Sequence, residues 1–146
     1  MVRAALARPL LAVAAAALTL AVTSCGQDDS ESVTAVDALV QDIIAGDGEA
    51  ACDRVAFFGE GVPPVGPNCP EVVIRLSPES GLDDDALSVS AADGPCEGHE
   101  DLDGVQVQFA NGLDLCVAVG TVEGSPVINA GDLPSLMTFG AAPADE

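Results

Sequence analysis

The sequence predicts an α+β domain, with two or three N-terminal helices packed on one face of a curved antiparallel sheet and two disulfides as staples. Three observations predict it. Apolar residues recur at helical spacing from Val33 to Ile44. Apolar and polar residues alternate between Val105 and Phe109, and a second apolar run, Leu113–Val119, follows across a turn. Cys52, Cys69, Cys96 and Cys116 are spread through both halves of the chain.

The elements follow in chain order, and the first is not part of the domain. Arg3 and Arg8 give the start a positive charge. Leu10 to Val22 is a run of 13 residues, apolar except for Thr19. A bilayer-spanning helix needs about 20, so this run reads as the middle of a secretory signal over residues 1–24. Val22-Thr23-Ser24-Cys25-Gly26 follows at once and resembles a bacterial lipobox. That resemblance implies cleavage before Cys25 and diacylglycerol on its sulfur. It implies a chain held on the outer, extracytoplasmic side of the cell membrane, with the membrane itself as a partner. Several acyl chains anchor firmly, since each buried methylene adds about 0.8 kcal/mol.

The remaining 122 of the 146 residues suit one domain and a tether. After Cys25, 24 carboxylates face only Arg54 and Arg75, a formal charge of −22. Such a surface repels phosphate backbones, which excludes nucleic acid as a partner. A basic protein or a cation suits it better. Self-repulsion at this charge is screened by salt over about 8–10 Å. Raising sodium chloride from low to physiological levels is therefore expected to raise the thermal midpoint, and a flat or falling series of melts would contradict this.

Cysteine count agrees with the export reading. With Cys25 assigned to lipid, four remain, and an oxidising compartment favours their pairing. Four cysteines allow three pairings. Local order favours Cys52–Cys69 and Cys96–Cys116.

Residues 25–32 are the lipidated cysteine and a polar tether. The domain then runs over 33–139, with a loose tail at 140–146. Val33, Val36, Leu39, Val40, Ile43 and Ile44 form the stripe of a first helix, which Gly46 ends. Asp47 is placed to cap a second helix reaching about Phe58. After the Gly/Pro loop 59–68, Asn68 can cap a short third helix with Pro70 in its first turn. A Cys52–Cys69 bridge would tie the second and third helices together. Leu87, Val89 and Ala91 alternate as a strand. Strands at 105–109 and 113–119 flank Ala110-Asn111-Gly112. A three-residue loop there pairs Val107 with Leu115 and Val105 with Val117, which keeps the large apolar residues on one face. A short strand around Val127–Asn129 closes the series.

Ala45-Gly46-Asp47-Gly48-Glu49-Ala50-Ala51-Cys52 follows an amphipathic helix and precedes a second cysteine that opens a short helix. This resembles small secreted lipoproteins of high-GC Gram-positive bacteria with a nuclear transport factor two-like fold. The resemblance implies helices in the concave side of a curved sheet, often around a pocket. The chain departs from such domains in having no Trp and a short last strand.

Residues that carry chemistry are sparse. Lys is absent, and His99 lies in a polar loop where a solvated imidazole is expected. No nucleophile elbow, phosphate loop or zinc-binding His pair is present. No catalytic residue and no cofactor is assigned. Asp83-Asp84-Asp85 and the loop of Glu97, Glu100, Asp101 and Asp103 are acidic, and Glu97, Asp101 and Asp103 are the calcium candidates. If the sheet curves, Val36, Val40, Phe58, Val107, Phe109 and Leu115 line an apolar pocket for an apolar small molecule. Otherwise the same residues touch and make a closed core. The function expected is a membrane-anchored, non-enzymatic binding or interaction module. The alternatives are a nuclear transport factor two-like enzyme with a pocket carboxylate, and a calcium-dependent envelope protein.

Overall fold

A computed structural model describes residues 27–59, 64–82 and 87–141. The signal, Cys25 and Asp83-Asp84-Asp85 lie outside the described residues. The fold is α+β: four helices and an open five-stranded sheet in the order β1-β5-β4-β3-β2. No described helix is long and apolar enough to cross a membrane.

Helix α1 (Gln27–Ala45) begins six residues earlier than its apolar stripe predicts. Residues 27–32 are therefore the first turns of the helix rather than a solvated tether. Ser32 is buried and its hydroxyl donates to the Asp103 carboxylate at 3.1 Å. Gly46 ends α1 at φ 71°. The Asp47 side chain caps α2 (Gly48–Asp53) by accepting from Ala50 N at 3.1 Å. Cys69 opens α3 (Cys69–Leu76), with Pro70 in its first turn and no side-chain cap from Asn68. The Ser77 hydroxyl donates to the Ile43 carbonyl and ties the end of α3 to α1.

The second helix stops five residues short of its expected end. Val55–Ala56 form β1 instead, parallel to β5 (Ser125–Asn129), with Val55 opposite Ile128. Ile128 N donates to the Arg54 carbonyl at 2.9 Å. The sheet is thus mixed rather than wholly antiparallel. β-Branched Val55 fits a half-buried pleat better than a helix.

The other strands are β2 (Ser88–Ala91), β3 (Asp103–Gln108) and β4 (Asp114–Val122). They pair antiparallel, and the β3–β4 register sets Val105 against Val117 and Val107 against Leu115, as the hydrophobic pattern requires. Phe109 N donates to Leu113 O, and Gly112 takes φ 84° in the loop between them. A β-branched or bulky residue is strained there, so glycine fixes the turn and with it the register.

Val36, Leu39, Val40 and Ile43 of α1 share one core with Val105, Val107, Val117, Val119 and Ile128 of the sheet. Ala51 and Val73 bring α2 and α3 into it. Helix α4 (Leu133–Phe139) was not expected. It adds Leu133, Leu136 and Met137, and Phe139 stacks at a tilt on Phe109 with ring centroids 6.1 Å apart. Gly140, the start of the expected loose tail, packs against the backbone of Ser80 and Gly81.

Cys116, Ala118 and Gly120 point away from this core. Residues 92–102 meet that side through the Cys96–Cys116 disulfide and the Ala92 N to Gly104 O bond. The second disulfide is Cys52–Cys69. Phe58 also lies on this side, not on an inner helix face. A Cβ on Gly120 would come within 2.6 Å of its ring, so only glycine leaves room for it.

Candidate functional site

The six residues expected around an apolar pocket are not brought together as a lining. Val36, Val40 and Val107 have no accessible surface, so no water-sized void borders them. Phe109 is buried in the same core and Leu115 packs at its edge. Phe58 sits on the opposite side of the sheet, beside Leu102 and Gly120. The helices and strands close on each other because each offers one continuous apolar face.

The calcium candidates are also kept apart. Among the described residues, no three His, Cys, Asp or Glu side chains meet in a way that could hold a metal ion. Glu97 and Asp101 are exposed, and Asp103 starts β3 with its carboxylate on Ser32. A strand start fixes Asp103 in the sheet, whereas calcium wants several oxygens on one adaptable loop.

His99 is half-buried rather than solvated. Its Nε2 lies 3.3 Å from Asn129 Nδ2, and that amide also lies 3.4 Å from Asp132 Oδ2. The same Asp132 oxygen accepts from Ala118 N at 2.9 Å. Asn129 is buried, and with its two N–H groups directed this way the imidazole accepts at Nε2. Asp132 takes over the strand partner that Ala118 loses where β5 turns away. The three side chains tie the 92–102 segment to the end of β5 and to β4. The nearby Cys96 and Cys116 are bridged and offer no thiol nucleophile. The half-buried carboxylate Asp42 is engaged too, in an ion pair with Arg54.

A surface hollow of about 570 Å³ lies between the first half of α1 and the β4–β5 turn. Glu31, Thr34, Ala35 and Ala38 form its α1 wall at helical spacing. Ser125 and Pro126 close it from the turn, and Arg54 enters from the end of α2. Arg54 meets Asp42 through Nε, and a guanidinium carries two further nitrogens in a planar fork. A smaller hollow of about 290 Å³ adjoins it, shares Glu31 and Pro126, and adds Asp103. The surface is cationic at one end and acidic at the other.

Sequence reasoning counted Arg54 only as a charge and did not connect it with Glu31. The signal available was the i, i+3, i+4 run of Glu31, Thr34 and Ala35, which continues the helix back through the expected tether. Compared with known proteins, the chain matches no family model, no curated protein and no solved structure.

Proposed function

We propose that the chain is a lipoprotein, held by Cys25 on the outer side of the membrane, and that its folded domain is a non-enzymatic interaction module. The observation that carries this reading is the use of the cysteines. Two disulfides take Cys52, Cys69, Cys96 and Cys116, and of the five cysteines in the sequence that leaves Cys25. It stands in the lipobox-like run where lipid attachment needs a thiol. Disulfides persist in oxidising compartments, which supports export. The excess of carboxylates over two arginines supports a basic or charge-paired partner rather than an anionic one. Helices α1 to α3 ahead of the antiparallel strands β2 to β5 support the helix-on-sheet layout that the nuclear transport factor two-like resemblance implies.

Cys25→Ala tests the anchor. The wild-type chain is expected to partition with membranes and to carry acyl mass on an N-terminal Cys25. The variant is expected to lose the acyl mass and to keep the signal uncut at this site. A wild-type mature N-terminus at another residue, without acyl mass, would refute the lipoprotein reading.

A further inference from the structure

The hollow between α1 and the β4–β5 turn has a feature that an acidic surface alone does not supply. Glu31 and Arg54 line it together, while the ion pair of Arg54 is with Asp42. Opposite charges therefore stand at separate points of one concavity. Asp42 meets the guanidinium at Nε, and the fork of terminal nitrogens that every guanidinium carries suits a carboxylate in a bidentate manner.

We propose that this hollow binds a short peptide with both termini free, its carboxylate on Arg54 and its ammonium on Glu31. The proposal deepens the interaction-module reading by naming a site and a ligand class. It rests on that half of the reading and not on the lipid.

Spacing selects the ligand length. Asp42, which holds Arg54, is 11 residues beyond Glu31 on α1, about 16 Å of helix rise. Arg54 lines the hollow together with Ala38, which stands about 10 Å of helix rise from Glu31, so the wall between the two charged residues is longer than one amino acid. Each extended residue adds about 3.3–3.6 Å, so two or three residues span the gap where a single amino acid does not. The wall between the charges is Ala35, Ala38 and Pro126, with the Thr34 and Ser125 hydroxyls beside them. Small side chains fit such a wall, and the Ser125 hydroxyl suits a peptide N–H or C=O group. The volume of about 570 Å³ is within the usual range for small-molecule sites. Net charge selects in the same direction. A simple anion is repelled by the rest of the domain, whereas a zwitterion is neutral at a distance and charged only where the site is charged.

The test uses the full mature chain in detergent micelles, with tri-alanine as probe and backbone amide shifts as readout. Tri-alanine is expected to give saturable shifts at Thr34, Ala35, Ala38 and Ser125. N-acetyl-tri-alanine and tri-alanine amide are each expected to bind about tenfold more weakly, equivalent to about 1.4 kcal/mol. Glu31→Gln is expected to weaken the free peptide to the level of the acetylated one and to leave the acetylated one unchanged. Arg54→Gln is expected to do the same for the carboxylate. Among the described residues Glu31 makes no ion pair, so its variant keeps the proposal testable if loss of the Asp42–Arg54 pair unfolds the chain. No saturable shift with tri-alanine, or equal binding of blocked and free peptides, would overturn the proposal. Either outcome leaves acyl mass on Cys25 unaffected and so leaves the anchor reading standing.

Discussion

Reduction of both disulfides is expected to unfold the domain or bring it to the edge of unfolding at room temperature. The bridges close loops of 17 and 20 residues. Loops of that size contribute about 3 kcal/mol each in the chain-entropy model. Domains of this size have about 5–15 kcal/mol in total, so losing both removes much or all of it. Cys96→Ser with Cys116→Ser is expected to be the more damaging pair. That bridge holds residues 92–102 against the outer side of β3 and β4, and Cys96 is itself buried. The Cys52–Cys69 pair joins two helices that already meet through packing. Urea unfolding with and without reductant measures the effect. A midpoint that does not move on full reduction would mean that packing alone holds the fold.

Leu39→Ala is expected to cost about 2–5 kcal/mol, because a buried leucine loses both its transfer energy and the packing around the void. Leu39 has no exposed surface and lies at the centre of the α1 stripe, between Val36 and Ile43. Ile44→Ala, one helix position beyond Ile43 and 36% exposed, is the control and is expected to cost much less. At about 4 °C per kcal/mol for a domain near 100 residues, the first variant melts at least 8 °C lower. Equal losses at the two positions would show that α1 does not pack by the face described.

The features legible in the sequence were those written in short range. The β3–β4 register could be argued because a one-residue slip would expose Val105, Val107 and Phe109 together. Asp47 and Gly46 marked the break between α1 and α2 through their own backbone and side-chain chemistry. Both disulfides joined cysteines that are neighbours in sequence order. What was not legible depended on distant partners. Val55–Ala56 is too short to show alternation, and only pairing with Ile128 and Asn129 makes it a strand. Phe58 followed it out of the helix and onto Gly120. Helix α4 is different, since Leu133, Leu136 and Met137 stand at i, i+3 and i+4 and could have been read. The mixed hollow had no sequence signature, because α1, Arg54 and the β4–β5 turn are far apart along the chain. The expected apolar pocket failed for the reason its residues were chosen: faces that are apolar throughout close on one another.

The early start of α1 bears on how far this domain can travel. In a chain lipidated at Cys25, only Gly26 separates the anchor from the first residue of a helix that is itself part of the folded core. A flexible linker of n residues gives a reach of about 5–6 Å times the square root of n, and here n is close to one. The domain is then a short post and not a float on a leash. So anchored, it would meet its partners in a thin layer against the bilayer, where a second membrane-bound molecule is reached by lateral diffusion at high effective concentration. Inserting a Gly/Ser segment after Gly26 would widen that layer without touching any contact within the fold.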